Sequence, residues 1–199
     1  MLFRSSKGMT TTILDRWQSV SPPPAPEIKP VTLDPATTGF FVLDLVHHTC
    51  NATDRPGALA IVPVAARLLR EARAAGAHIL HALSAHATAD DILDEVKPLA
   101  GEPIVAGGPD KFIRTDLQKI LDERGIRTLA MVGTAGHGAV LFTPAGAAQR
   151  GYDAVVVVDV VGAETDFIRL ANAWVLANSP LIARKVTLTT SDRLRYSGR

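Results

Sequence analysis

Apolar runs alternate with segments of helical periodicity along most of the chain. Short apolar runs of the kind that form buried strands cover residues 39–45, 77–83, 103–105, 126–132, 154–158 and 185–189. Apolar residues at helical spacing cover residues 59–75, 115–124, 139–150 and 166–177. Strands that alternate with helices in this way predict an α/β fold, in which a parallel sheet is covered by helices on both faces.

The amino-terminal part has a different pattern. Residues 1–20 are mostly polar, and residues 21–30 (SPPPAPEIKP) are rich in proline, which predicts an extended segment that crosses the surface or a neighbouring subunit. We therefore divide the chain into a proline-rich arm, residues 1–37, and a globular domain, residues 38–199. The start of the chain has no apolar signal segment and no run is long enough to span a membrane, so we expect a cytoplasmic protein without a membrane partner.

Composition narrows the classes of function. The net charge of the chain is +1, with acidic and basic residues interspersed, which gives no basic surface for nucleic acid. The single cysteine, Cys50, excludes an internal disulfide and a multi-cysteine metal site, and no activating base accompanies it in the sequence. The histidines lack the spacing of a helical zinc motif. The sequence therefore predicts neither a metal nor a cofactor.

Two charged residues are candidates for chemistry. Asp44 ends an apolar strand at the edge where α/β sheets bind ligands, and partial desolvation there would raise its pKa towards that of a general acid or base. Lys111 follows two glycines in a turn and could reach over the same edge as a cation. The alternatives are a capping aspartate and a solvated lysine. Histidines are expected near this edge as polar residues of a pocket: His47, His48, His86 and His137.

A glycine-rich turn supplies the third candidate feature. Gly133, Gly136 and Gly138 lie between a strand and a helix, and Asp159 ends the next apolar run. This spacing is similar to a dinucleotide-binding fingerprint. The turn follows about the fourth strand rather than the first and contains His137, so a dinucleotide-dependent oxidoreductase is the less favoured interpretation.

Several segments together resemble the isochorismatase-like cysteine hydrolases. They are FVLDL, the lysine-bearing turn before TDL, LDERGIRTLAMVGT and AGAAQRGYDAVVVVD, and the resemblance covers about residues 38–190. It implies a three-layer α/β/α sandwich around a six-stranded, mostly parallel, Rossmann-like sheet. It also implies a small-molecule substrate and a homodimer or homotetramer. The family aspartate falls on Asp44 and the nucleophilic cysteine on Ala139, whereas the family lysine falls near Ala106, with Lys111 as a candidate replacement.

The methyl group of Ala139 cannot form a thioester, so the resemblance implies hydrolysis without a cysteine nucleophile. We expect Asp44 to act as acid or base on water, Lys111 to be its charge partner and His137 to orient that water. Backbone amides around Gly138 to Val140 would stabilise an anion or an oxyanion. Further substrate contacts are expected from His47, His48, His86, Phe112, Arg114, Gly138 and Val140. The bond cleaved would be of the C–N or enol-ether type; a non-catalytic metabolite-binding protein is the alternative.

Overall fold

The structure is a computed structural model that describes residues 12–198. Its strands are β1 (Val31–Leu33), β2 (Thr38–Leu43), β3 (His78–Ser84), β4 (Ile104–Gly107), β5 (Thr128–Thr134), β6 (Asp153–Gly162), β7 (Val186–Thr189) and β8 (Leu194–Tyr196). Six of them form one sheet in the order β4-β3-β2-β5-β6-β7, and all neighbouring pairs are parallel. The predicted six-stranded parallel sheet is confirmed.

Helices cover both faces of this sheet. They are α1 (Pro56–Leu59), α2 (Val62–Ala75), α3 (Leu117–Glu123), α4 (Ala139–Gln149) and α5 (Asp166–Asn178). The apolar face of α2 packs with Phe40 and Val42 of β2, while α3, α4 and α5 pack on the side of Phe41 and Leu43. Because successive residues of a strand point to opposite faces, a strand between two helical layers must be apolar throughout. The three-layer sandwich is confirmed.

Two element boundaries differ from the sequence-based prediction. The helix predicted over residues 59–75 is two helices, α1 and α2, with Pro63 in the first turn of α2. A proline is tolerated in the first turn because the amide it lacks has no partner inside the helix there. The strand predicted to end near Asp159 continues to Gly162, so Asp159 lies inside β6.

The end of the arm forms regular structure that the sequence pattern did not predict. Strand β1 pairs in parallel with β8, so that Val31 lies opposite Leu194. Just before it, the amide of Lys29 donates a hydrogen bond of 2.9 Å to the carbonyl of Leu188 in β7. The segment therefore lies against the edge of the central sheet and satisfies backbone groups that an edge strand leaves open.

Gly133 joins the two central strands at the carboxyl edge of the sheet. Its φ is +129°, and a Cβ atom there would lie 2.0 Å from the carbonyl oxygen of Leu43. Glycine is therefore required at this position on grounds of both conformation and space. The close approach puts the turn that follows β5 beside the residue that follows Leu43, which is Asp44. No helix within the described part of the chain is both long and apolar enough to cross a membrane.

Candidate active site

A cavity of about 290 Å³ opens at the carboxyl edge of the sheet, where ligands bind in open α/β folds. It is lined by Asp44, Thr49, Arg55, Ser84, Ala85, Gly107, Gly108, Pro109, Lys111, Thr134, Ala135, Gly138 and Ala139. These residues lie at the carboxyl ends of β3, β4 and β5 and in the segments that follow β2, β3, β4 and β5. The cavity therefore brings together four predicted residues: Asp44, Lys111, Gly138 and Ala139.

Asp44 follows β2 directly and is held in a left-handed conformation, with φ of +50°. Its carbonyl oxygen accepts hydrogen bonds from the amide of Val46 and from the hydroxyl of Thr49, which fix the turn. Its side chain is 10% exposed. Burial raises the pKa of Asp44, and the positive charge of Lys111 opposes that rise. The carboxyl group is thus one that can exchange a proton closer to neutral pH.

Lys111 is fully buried and points at Asp44. Its Nζ lies 2.9 Å from Oδ1 of Asp44 and donates hydrogen bonds to the carbonyls of Leu83 and Gly107, at 2.9 and 3.1 Å. The contact with Asp44 is an ion pair, since the two opposite charges lie only 2.9 Å from each other. Its geometry is not that of a well-aligned hydrogen bond. The backbone of Lys111 is held by Thr143, whose hydroxyl accepts from its amide at 3.3 Å. The lysine from the turn is therefore the charge partner of Asp44.

Ala139 is the first residue of α4 and lies at the cavity wall, 3% exposed. Within residues 12–198, neither its amide nor that of Ala135 has a protein acceptor. The first amides of a helix are left without partners inside the helix and favour negative charge. The peptide bond between Thr134 and Ala135 is cis. These two amides belong to residues of the cavity wall and are available to an oxygen of a ligand.

The predicted oxyanion cradle, the amides around Gly138 to Val140, is wrong for Gly138 and Val140. Both amides donate to the carbonyl oxygen of Ala135, at 2.8 and 3.2 Å, and so hold the turn before α4 together. Gly138 still lines the cavity, whereas the side chain of Val140 is fully buried in the core. Of the three predicted amides, that of Ala139 is the one without a protein acceptor, and the amide of Ala135 joins it.

The histidines do not enter the cavity. His137 is 56% exposed, and its Nδ1 lies 3.6 Å from Oε2 of Glu164 on the outer side of the turn. His47 and His86 are exposed. His48 is exposed too and reaches the site only through a contact of 3.2 Å between its Nε2 and the hydroxyl of Ser84. The predicted pocket roles of all four histidines are wrong, because the turns that carry them direct their side chains outwards.

Phe112 and Arg114 also lie away from the cavity. Phe112 is buried in the core, where it stacks on Tyr152 with 5.8 Å between ring centroids. Arg150 covers the other side of its ring, at 4.7 Å from the centroid. Arg114 is exposed with φ of +57°. Neither side chain lines the cavity, so their predicted contact with substrate is wrong.

Arg55, Thr49 and Ser84 line the cavity although the sequence interpretation passed over them. Arg55 stands between an asparagine turn and Pro56, and this pattern marks the start of a helix but gives no direction for the side chain. Thr49 lies in the segment after Asp44, and Ser84 ends β3 at the same sheet edge as Asp44. The rule that ligands bind at the carboxyl edge could have identified Ser84.

Asp159, the acidic residue of the dinucleotide interpretation, has another partner. Its carboxylate accepts hydrogen bonds from the amide and hydroxyl of Ser191, at 2.8 and 2.6 Å. It does not line the cavity, and it lies within β6 rather than at its end. In the part of the chain that the structure describes, no three His, Cys, Asp or Glu side chains form a group that could hold a metal ion.

Comparison with known proteins shows the family and the fold of the chain. Residues 38–184 match the model of the isochorismatase domain. The secreted isochorismatase effector Isc1 of Verticillium dahliae is 36% identical over 111 residues. That alignment covers 50% of this chain and 58% of the relative, so the chain spans less than two thirds of that curated protein.

Solved structures share the fold at lower identity. An isochorismatase family protein from Desulfovibrio vulgaris is 24% identical, with a TM-score of 0.71 over 79% of this chain and 95% of the other. N-carbamoylsarcosine amidase from Thermoplasma acidophilum is 23% identical, with a TM-score of 0.67 over 78% and 97%. The nicotinamidase of Staphylococcus aureus is 18% identical, with a TM-score of 0.68 over 78% and 99%.

Proposed function

Because this chain belongs to the isochorismatase family of hydrolases, we propose that it hydrolyses a small molecule by acid–base chemistry on water, without a cysteine nucleophile. The bond cleaved is of the C–N or enol-ether type. The observation that carries this proposal is the buried pair of Asp44 and Lys111, 2.9 Å apart, in a cavity whose wall at Ala139 is a methyl group.

Asp44 is the proton carrier of the proposed reaction. For a C–N bond, its carboxylate takes a proton from water as the water oxygen adds to the carbonyl carbon, and it returns that proton to the leaving nitrogen. For an enol ether, the protonated form donates to the terminal carbon of the double bond, and the carboxylate then takes a proton from the water that adds, which gives a hemiketal. The hemiketal collapses as its C–O bond to the leaving oxygen breaks: Asp44 gives its proton to that oxygen and takes the hydroxyl proton as the carbonyl forms. The raised pKa of Asp44 suits both roles, because burial makes its protonated form easier to reach than in an exposed aspartate.

Lys111 and two backbone amides support this chemistry. The buried charge of Lys111 stabilises the carboxylate state of Asp44 and holds its orientation. The free amides of Ala135 and Ala139 would donate to the oxygen that becomes negative as water adds. In a site shielded from water such donors stabilise the transition state more than they would in bulk solvent. Ala139 leaves open the space beside them that a thiol would occupy.

A substrate screen tests the proposal. Wild type and Asp44→Asn are compared on small amides, carbamoyl compounds and enol ethers, with release of product followed by chromatography. We expect at least one compound to be hydrolysed, and Asp44→Asn to lose about 10²- to 10⁴-fold in kcat. Asp90→Asn, which changes an exposed aspartate outside the cavity, should keep the wild-type rate. Full activity of Asp44→Asn would refute the role given to this residue.

The second candidate function is a metabolite-binding protein that does not turn its ligand over. The observation in its favour is the unreactive methyl group of Ala139 at the cavity wall, where the family resemblance puts the nucleophile. Binding of a compound from the same screen in the cavity, with no hydrolysis of it by the wild type, would favour this function over the first.

Assembly and location are further proposals. We propose a homodimer or homotetramer, on the grounds of the family resemblance, and light scattering should then give a mass of two or four times 21.1 kDa. We also propose a cytoplasmic location; the curated relative is a secreted effector. Fractionation of the source cells with an antibody to the protein would distinguish a cytoplasmic protein from a secreted one.

A further inference from the structure

Arg55 is the third charged residue of the cavity wall, and its backbone is firmly placed. The side chain of Asn51 accepts hydrogen bonds from the amides of Thr53 and Asp54, at 3.1 and 2.7 Å. The amide of Arg55 donates to the carbonyl of Asn51 at 3.2 Å, and α1 begins at the next residue. This turn fixes the point from which the arginine side chain starts.

Close packing of α1 on β6 fixes the same backbone from the other side. A Cβ atom at Gly57 would lie 2.5 Å from the carbonyl oxygen of Ala163, and one at Gly162 would lie 2.8 Å from the Cα of Ala58. Only glycine allows two backbones to come this close. The backbone of Arg55 is therefore held at one place on the cavity wall.

The guanidinium group of Arg55 is only partly satisfied. Its Nε lies 3.4 Å from Oε1 of Glu164, which is long for a charged hydrogen bond, and the side chains are 35% and 31% exposed. Glu164 is shared with His137 at 3.6 Å. Among residues 12–198, the two Nη groups of Arg55 have no protein acceptor. The two-pronged face that binds planar anions is thus open.

The charges of the cavity wall favour an anion. In the part of the chain described, its charged side chains are Asp44, Lys111 and Arg55. Asp44 and Lys111 pair with each other at 2.9 Å, so the positive charge of Arg55 has no partner on the wall itself. The rest of the wall is glycine, alanine, proline and hydroxyl side chains, which provide no second charge for a ligand.

We infer that Arg55 binds a carboxylate of the substrate, through a two-pronged contact from its Nη groups or from Nη and Nε. The carboxylate replaces the loose contact with Glu164. The substrate is then held at two points, by its carboxylate at Arg55 and by its reacting bond at Asp44. This inference names the substrate class of the proposed hydrolase and rests on that function. Binding of a carboxylate at Arg55 itself needs no catalysis.

Matched pairs of an acid and its amide test the inference. Nicotinate with nicotinamide, and benzoate with benzamide, differ in charge while keeping nearly the same shape. Calorimetric titration of the full chain near neutral pH should give, for at least one pair, a dissociation constant for the carboxylate about tenfold or more below that of the amide. Arg55→Gln should remove this preference and leave amide binding unchanged.

Three further variants make the result specific. Arg67→Gln removes the same charge from an exposed ion pair on α2 and should keep the preference. Arg55→Lys should recover only part of it, because lysine lacks the planar fork. Glu164→Gln removes the competing carboxylate and should tighten carboxylate binding. If the wild type prefers neither carboxylate, or if Arg55→Gln keeps the preference, the inference is overturned.

The same titration on Asp44→Asn separates this inference from the proposed function. Asp44→Asn should retain the carboxylate preference even though hydrolysis is lost. A carboxylate preference in a protein that hydrolyses nothing would uphold the role of Arg55 and refute the hydrolase. Hydrolysis by a protein without any carboxylate preference would uphold the hydrolase and refute the role of Arg55.

Discussion

At the scale of single residues, the site is defined by one ion pair and one methyl group. Removing either partner of a buried pair leaves a charge without compensation, which typically costs about 3–5 kcal/mol. The pair of Asp44 and Lys111 is therefore costly to disturb as well as chemically useful. Ala139 beside it carries no reactive atom, so any covalent step at this position must be introduced by substitution.

Ala139→Cys should create a reactive thiol. The new side chain would lie at the first residue of α4 and at the wall of the cavity, and a helix amino terminus lowers the pKa of a cysteine. We expect alkylation by iodoacetamide to be at least about tenfold faster than at Cys50, which is buried and whose pKa is raised by burial. Mass spectrometry of digested protein measures both rates in one sample. Equal rates would show that position 139 lacks this environment.

The pH dependence of stability should change in Asp44→Asn. Burial raises the pKa of Asp44, so over the range between the unfolded and folded pKa values the folded wild type holds a proton that the unfolded chain releases. The free energy of unfolding of the wild type is therefore lowered by this group as the pH rises from about 4, the unfolded value, through the raised pKa. Asp44→Asn lacks this loss, so its stability relative to wild type should improve over that range. Urea unfolding at a series of pH values measures this, and a constant difference would contradict it.

At the scale of elements, the strands of the central sheet were predictable from the sequence, whereas the directions of side chains in the loops were not. The apolar runs that became β2, β5 and β6 are buried on both faces, so their hydrophobicity identified them. The direction of a side chain in a turn depends on hydrogen bonds between distant segments. Arg55 and His137 illustrate this, since both side chains contact Glu164 but only Arg55 lines the cavity.

Gly133→Ala should damage the junction of β2 and β5. The added methyl would meet the carbonyl oxygen of Leu43 at 2.0 Å, in a conformation with φ of +129°. We expect a loss of at least about 3 kcal/mol in the free energy of unfolding, measured by denaturant titration. Gly101→Ala is the matched control, because its φ is +88° but no atom lies within 4 Å; it should cost only about 1–2 kcal/mol. Equal losses for the two variants would contradict the collision.

At the scale of the whole molecule, the sequence predicted the layers but not how the arm joins them. Composition marked residues 21–30 as extended, yet the pairing of β1 with β8 joins residues far apart in sequence. The pattern of apolar residues could not predict this pairing, because each of the two strands has only three residues. Likewise, the sequence predicted Asp44 at the carboxyl edge of the sheet, with Lys111 as its charge partner. The distance of 2.9 Å between the two groups could be read only from the folded structure.

Removal of the arm should destabilise the folded domain. A chain that begins at residue 38 loses β1 and the contact of Lys29 with β7, which leaves β8 and the sheet edge open. We expect a lower melting temperature and aggregation on heating. A chain that begins at residue 21 keeps both contacts and should behave more like the full chain. If the shorter chain were as stable as the longer one, the arm would be dispensable to the fold.

The central claim is hydrolysis through Asp44 without a thiol. Its most direct test is the kcat/KM of Cys50→Ala and Asp44→Asn, measured side by side on the substrate that the screen identifies. Cys50 is the single cysteine of the chain and lies outside the cavity wall. Cys50→Ala should keep the wild-type value within about twofold, while Asp44→Asn loses about 10²-fold or more. Loss of activity in a folded Cys50→Ala, with activity retained in Asp44→Asn, would contradict the account.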